Sequence, residues 1–222
     1  MSIILITWGL ATLGLATTAC LLGKKYGVEY LIAIYAASIV IANITAVKII
    51  DLAGVTVPAS FIIYAVTYLI TDTINEICGK EYAMKAVGAG FLALIMHVLV
   101  TQLAIQLEPS TLWQGQEAFQ EVLSSSLRLS IASFAAFAVS QTLDVQLFAK
   151  IKHVTKNKHL WLRNNLSTFI SQAIDAAIFI TIAFYGLFPL QELILGTILL
   201  KMVITAADTP PLYLIRWYYK RE

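Results

Sequence analysis

The residues of this 222-residue chain that could do chemistry stand inside long apolar runs, where polar groups are expensive to keep. An ionisable side chain in such a run faces protein or trapped water, and it needs a partner. Four places qualify. Thr71-Asp72-Thr73-Ile74-Asn75-Glu76 sets Asp72, Asn75 and Glu76 at i, i+3, i+4, on one helical face. That face could aim two carboxylates and an amide at a ligand; a solvated helix end is the competing reading, because Lys80 and Lys85 follow closely. Gln141 and Asp144 share a second face, with Phe137 and Phe148 one turn beyond on either side. Thr168, Gln172, Asp175 and Phe179 form a third stripe, adjoined by Ser171. Asp175 falls near the middle of its apolar run, which makes it the least suited of these residues to a surface role. Lys201, Thr205 and Asp208 follow at i, i+4, i+7 before Pro210-Pro211, a pair that lacks two backbone donors and frees carbonyls.

Lys201 needs an anion, and Asp175 is the nearest in kind; a purely structural Lys–Asp pair is the alternative to a binding role. Asn43 and Lys48 carry less weight, since an amide can serve as packing glue and a lysine can snorkel. The set as a whole mixes acids, amides, hydroxyls and one base. A cation channel would favour rings of one sign. A mixed set suits a small, polar, planar ligand held between aromatic rings. The candidate substrate-binding residues are Asp72, Asn75, Glu76, Gln141, Asp144, Gln172, Asp175 and Lys201. All but Asn75 are expected to converge on one cavity.

These residues need a scaffold. The chain is 59% apolar and 13% charged, against about 25% charged in a soluble domain. Lipid is the solvent that fits, and a helix needs about 20 apolar residues to cross it. Such helices are expected at roughly 2–22, 29–50, 58–77, 83–107, 128–149, 166–186 and 192–216. The apolar runs do not alternate, so a β-barrel is excluded. The expected fold class is all-α, a polytopic transmembrane bundle of about seven helices. The connections at about 108–127 and 150–165 are too short to fold alone. Within the first, Leu112, Gly115, Phe119, Val122 and Leu123 fall at helical spacing beside Trp113, with Glu117 and Glu121 on another face. That pattern suits a short helix lying in the membrane interface, with a flexible loop as the alternative.

Basic residues set orientation, because Lys- and Arg-rich connections resist translocation. With the N-terminus outside, the cytoplasmic side holds Lys24, Lys25, Lys80, Lys85, Lys150, Lys152, Lys156, Lys158, Arg163, Arg216, Lys220 and Arg221, twelve in all; the outer side holds two, Lys48 and Arg128. An integral cell-membrane protein with N-terminus outside and C-terminus cytoplasmic is expected. The first run has no basic segment ahead of it, so it reads as a retained helix and not a signal peptide. The basic 150–165 stretch reports topology and attraction to anionic lipid better than it reports nucleic acid. Cys20 and Cys78 form no metal or disulfide pattern.

Four motifs carry a likeness to a known family. Thr71-Asp72 with Glu76, Gly79 and Lys80 reads TD…E..GK. Ser140-Gln141 with Asp144 and Phe148 reads SQ..D…F. Arg163, Asn164, Ser167, Thr168, Ser171-Gln172 and Asp175 read RN..ST..SQ..D. Lys201 with Thr209-Pro210 and Tyr213 reads K…TP..Y. In this order, over roughly residues 30–218, the chain resembles the queuosine precursor transporters, a branch of the vitamin uptake transporter proteins. The resemblance implies a six-helix core at 29–222, with 1–28 an added helix and basic loop. It also implies import of 7-deazaguanine precursors such as 7-cyano-7-deazaguanine or 7-aminomethyl-7-deazaguanine. A guanine-like edge agrees with the residues. Its N1–H and N2–H₂ form a pair of donors for a carboxylate, Asp175 or Glu76, while O6 wants a donor such as Lys201, Gln172 or Gln141.

Two other classes of function stand beside this one. The chain could be the substrate-binding subunit of a multi-component ATP-driven importer. It has no GxxxxGK[ST] loop of its own, so a partner would hold the ATPase. An intramembrane enzyme would need a catalytic motif, and neither HExxH nor GxSxG occurs; His97, His153 and His159 do not cluster with acids at ligand spacing. No cofactor and no metal are expected. The expected partners are a small purine-like substrate and membrane lipid, with no nucleic acid; a homo-oligomer is compatible with the sequence. A proton gradient and facilitated diffusion with metabolic trapping are both open as driving forces.

Overall fold

The computed structural model describes residues 3–52, 55–123, 127–186 and 190–219, so Lys220 and Arg221 of the basic tail lie outside the described residues. The described chain is a helical bundle. Its long helices are α1 (Ile3–Tyr26), α2 (Val28–Thr45), α3 (Phe61–Ile77), α4 (Lys80–Gln106), α6 (Leu127–Val154), α7 (Leu160–Phe184) and α8 (Leu190–Tyr219). The seven expected helices are present. Val28–Thr45, Lys80–Gln106, Ser130–Val154 and Leu160–Phe184 are each long and apolar enough to cross a membrane unaided.

The shortest of the seven, α3, is the central one. It packs against α1, α2, α4, α6 and α8, and every residue from Val66 to Asn75 is buried. Enclosure by other helices is what permits Thr67, Thr71, Asp72, Thr73 and Asn75 at membrane depth, since none of them meets lipid. The closest helix pair is α6 with α7. Gly79, with φ of 91°, adopts a backbone shape that disfavours side chains and reverses the chain between α3 and α4.

Several boundaries differ from expectation for identifiable reasons. Helix α2 stops at Thr45 and not near 50. The β-branched run that follows forms an antiparallel hairpin, β1 (Ile49–Leu52) with β2 (Val55–Pro58), in which Ile50 faces Val57. Lys48 therefore sits in a connection and not in a span. Helix α7 begins at Leu160 and α6 runs to Val154, so the long basic connection shrinks to residues 155–159, with left-handed Lys156, Asn157 and His159. Arg163, read from sequence as part of that connection, is helical and fully buried. The short helix α5 (Gln116–Leu123) has no buried residue. It starts after Trp113, whose ring meets Phe119 edge-on at 5.8 Å, and Gln116 Nε2 donates to Ile105 O at 3.0 Å to hold it against the end of α4. Of the two expected forms, a short helix and a flexible loop, the helix is present. Helix α8 continues through Pro210-Pro211; neither proline can donate to the carbonyl one turn back.

The α2–α4 contact depends on the missing side chain of Gly90. A Cβ there would stand 2.6 Å from the ring of Tyr35, which is wholly buried. Gly90→Ala is expected to destabilise the protein by about 1–3 kcal/mol, read as a lower melting temperature in detergent. Gly88→Ala, on the same helix with open space around its Cβ, should leave melting unchanged or raise it slightly.

Candidate functional site

The polar residues of α3, α6, α7 and α8 form a column along the bundle, in three layers. The first centres on Asp175. Its Oδ1 accepts hydrogen bonds from Tyr64 Oη at 2.9 Å and Ser140 Oγ at 3.0 Å, and its Oδ2 pairs with Lys201 Nζ at 2.7 Å. Lys201 Nζ also lies 5.2 Å from the centre of the Tyr64 ring, within range of a cation–π contact. Two amides flank the pair. Gln141 Nε2 donates to Thr67 Oγ1 at 3.2 Å, and Gln172 Nε2 to Thr205 Oγ1 at 3.4 Å. Gln141 Oε1 is buried with no hydrogen-bond partner. The seam between α7 and α8 beside Gln172, Lys201 and Thr205 has no gap wide enough for a water molecule. A groove of about 380 Å³ between α1, α2 and α3 is lined by apolar and hydroxyl residues and holds none of the candidates.

The second layer lies one to two turns along α7, each turn about 5.4 Å. Asp72 Oδ2 accepts from Thr168 Oγ1 at 3.2 Å, and Asp144 Oδ1 from Ser171 Oγ at 2.9 Å. Thr168 and Ser171 are one turn apart on one face of α7, which brings the two carboxyls side by side. Asp208 is buried within electrostatic reach of Asp72. Nearer the helix ends, Asn164 and Asn165 both donate to Thr209 Oγ1, at 3.2 and 2.7 Å, which closes α7 onto α8.

The third layer is a charge cluster around Glu76. Its Oε2 meets Arg163 at 2.6 Å and Lys152 at 3.4 Å, and its Oε1 meets Arg216 at 3.0 Å. Arg163 also donates to Lys158 O and lies 5.6 Å from the Phe148 ring centre. Asn75 is nearby: its Nδ2 donates to Val145 O at 2.9 Å, and its carbonyl accepts from Lys152. Both Glu76 oxygens are thus occupied by cations from α6, α7 and α8.

The sequence candidates are therefore distributed. Gln141, Gln172, Asp175 and Lys201 stand together; Asp72 and Asp144 form a separate layer; Asn75 and Glu76 lie at the end of the column. The expectation of one shared cavity gives way to a stack, because successive polar residues on each helix are a turn or more apart and pair with whatever lies at their own depth. The four motifs interlock across the bundle through Ser140 to Asp175, Ser171 to Asp144, Thr168 to Asp72 and Asn164 to Thr209. Tyr64 was not among the candidates. The stripe of Tyr64, Tyr68, Thr71/Asp72 and Asn75 on α3 extends the pattern at helical spacing and could have pointed to it. The phenylalanines near the candidates serve packing: Phe137 stacks on Phe91 at 6.1 Å, and Phe179 meets Phe184 edge-on. Among the described residues, no three acids, histidines or cysteines are placed to hold a metal ion.

Residues 58–215, which include all eight candidates, match the family model described as "Putative vitamin uptake transporter". A protein of Bacillus subtilis (strain 168) named "Probable queuosine precursor transporter" is 33% identical over 178 residues, covering 78% of each chain. The chain belongs to the queuosine precursor transporter family. Two further relatives of this family are similar over 118 residues. A "Probable queuosine precursor transporter" of Haemophilus influenzae is 30% identical over 53% of this chain and 48% of its own. The "Queuosine precursor transporter" of Escherichia coli strain K12 is 29% identical over 53% and 51%. No solved structure matches. As a member of the queuosine precursor transporter family with apolar spanning helices, the chain is an integral membrane protein.

Glu76 is the only anion holding the buried Arg163 guanidinium among the described residues. Removing one partner of a buried pair costs about 3–5 kcal/mol, so Glu76→Gln should lower the melting temperature markedly. Glu81→Gln, on the exposed start of α4, should not change it.

Proposed function

We propose that this protein imports 7-deazaguanine precursors of queuosine, 7-cyano-7-deazaguanine, 7-aminomethyl-7-deazaguanine or a closely related base, and that the Asp175 layer is where the base is recognised. The observation that carries this reading is the buried Asp175–Lys201 pair among amides, hydroxyls and one tyrosine ring. Asp175 offers two acceptor oxygens, which match the N1–H and N2–H₂ donors of a guanine-like edge, and Lys201 offers a donor for O6. Tyr64 supplies a flat face, and Gln141 Oε1 a further unpaired acceptor. In the closed arrangement Lys201, Tyr64 and Ser140 occupy the positions on Asp175 that the base would take, so binding exchanges one set of hydrogen bonds for another. Glu76 suits this role less well, since three cations hold it. The names of the relatives support the substrate class. Helix α1 packs on α2, α3 and α8, and we read it as an addition to a six-helix core; the family match begins at residue 58, beyond both α1 and α2.

The Glu76 cluster, Lys24 and the 155–159 connection lie at one end of the bundle, joined by Lys24 Nζ to Tyr218 O at 3.2 Å. We place this end in the cytoplasm, with the N-terminus outside. Green fluorescent protein fused to the C-terminus should therefore fluoresce and alkaline phosphatase in the same place should be inactive; the reverse pattern would invert the topology.

Asp175→Asn keeps the size of the side chain but turns one acceptor into a donor facing a donor. An unpaired buried polar group costs about 1–3 kcal/mol, roughly a tenfold to hundredfold loss of affinity for the 7-deazaguanine base. Adenine, with an acceptor at N1, should bind poorly to the parent protein. Affinity and melting temperature measured on the same purified variant separate recognition from structure. Unchanged affinity in a destabilised Asp175→Asn protein would remove this residue from the binding site.

A further inference from the structure

The basic residues inside the bundle are committed. Lys152, Arg163 and Arg216 surround Glu76, and Lys201 pairs with Asp175. Among the described residues the second layer has no such partner. Asp72 and Asp144 are buried, at 1% and 0% exposure. Each has one oxygen held by a hydroxyl, while Asp72 Oδ1 and Asp144 Oδ2 lack any donor. Their hydroxyl donors, Thr168 and Ser171, are one turn apart on one face of α7, so the two carboxyls stand side by side. Two ionised carboxylates are acceptors only and cannot satisfy one another. Like charges side by side, shielded from water and without a cation among the described residues, do not both stay ionised.

A second feature points to the same place. The hydroxyls of Tyr35 on α2 and Tyr68 on α3 are buried without hydrogen-bond partners, and Asp144 acts electrostatically on both. Tyr68 is also within reach of Asp175, and its ring meets Tyr64 edge-on at 5.7 Å. Unused hydroxyls thus stand between the second layer and the Asp175 layer.

We propose that Asp72 and Asp144 share one exchangeable proton and form the ion-coupling site of this transporter, separate from the Asp175–Lys201 layer. The proton lies between Asp72 Oδ1 and Asp144 Oδ2 and satisfies both. Its departure leaves two buried negative charges, which act on Asp175 through Tyr68 and Tyr64. Gain or loss of one proton therefore changes the hold of Asp175 on Lys201, and with it access to the site. Of the other charged groups on the packed helices, Asp208 on α8 lies within electrostatic reach of Asp72, while Lys201 on α8 pairs with Asp175, and Lys152 on α6 and Arg163 on α7 pair with Glu76 on α3. Helix α1 brings Cys20 to Thr73. Helix α4 turns Ala83, Ala86 and Val87 inward and leaves Lys80, Glu81, Tyr82 and Lys85 exposed. The coupling role rests on the transport function proposed above; the shared proton does not.

Infrared spectroscopy of the purified protein in lipid tests the proton without any substrate. At neutral pH the parent protein should show the carbonyl stretch of a protonated carboxylic acid, shifted by deuterium exchange. Asp72→Asn and Asp144→Asn should each lose that band, while Asp208→Asn and Asp175→Asn retain it. An amide can donate where the shared proton did, so each single variant should fold, and either one suffices if the other does not. Absence of the band in the parent, its loss only in Asp208→Asn, or its survival in both dyad variants would overturn the proposal. In proteoliposomes, an inside-alkaline gradient should raise uptake of 7-cyano-7-deazaguanine by the parent protein. In the dyad variants the ratio of uptake with and without the gradient should fall to one, whatever the basal rate. A sodium gradient that drives uptake while the pH gradient does not would also overturn it. Failure of the parent to bind or carry the base, with the infrared band present and lost in the dyad variants, would count against the proposed substrate and leave the shared proton standing.

Discussion

A buried carboxylate in a lipid-embedded bundle has to take its donors from neighbouring helices, and that requirement sets α3, α6, α7 and α8 against one another. Water is absent from the hydrocarbon, so an unmet charge there is far costlier than at a surface. Asp175 on α7 draws on Tyr64 of α3, Ser140 of α6 and Lys201 of α8. Glu76 on α3 draws on cations of α6, α7 and α8. Each acid thus fixes several helices at one depth. The apolar contacts around them, such as Ile70, Ile74, Val145 and Phe148, fill the space between these points.

The two ends of the column are fastened differently. At the Glu76 end a single carboxylate gathers three cations from three helices. At the other end Arg128 of α6 donates to Ile182 O and Tyr185 O, both at 2.6 Å, which ties α6 to α7 alone. Between them stands the narrow seam beside Lys201, closed by hydrogen bonds among side chains. A layer of hydroxyls and amides around one ion pair provides alternative partners of similar strength.

The motifs owe their spacing to this arrangement. Ser140 and Gln141 are adjacent on α6 and Asp144 stands one turn on, and each meets a different partner: Ser140 Asp175, Gln141 Thr67, Asp144 Ser171. The same holds on α7, where Arg163, Asn164, Thr168, Ser171 and Asp175 serve successive layers. A motif that looks like one binding face in sequence is a ladder whose rungs belong to different tasks.

Hydropathy by itself determined the seven helices and the all-α class, because the cost of exposing a backbone in lipid leaves few other solutions for long apolar runs. Polar residues at helical spacing likewise marked α3, α6, α7 and α8 as the elements that carry the buried polar column, and the charge types named Asp175 and Lys201 as partners. Depth and neighbour were not legible. Periodicity gives the face of a helix but not how far a neighbouring helix is shifted along it, so Glu76 and Asp175 looked equivalent until the packing separated them. Arg163 read as a loop cation because a buried guanidinium is tolerable only beside Glu76, 87 positions earlier in the chain. The hairpin at Ile49–Pro58 was hidden by a β-branched run as apolar as a helix. Tyr64, an ordinary aromatic by its type, became part of the site only through the hydroxyl it turns toward Asp175, 111 residues away.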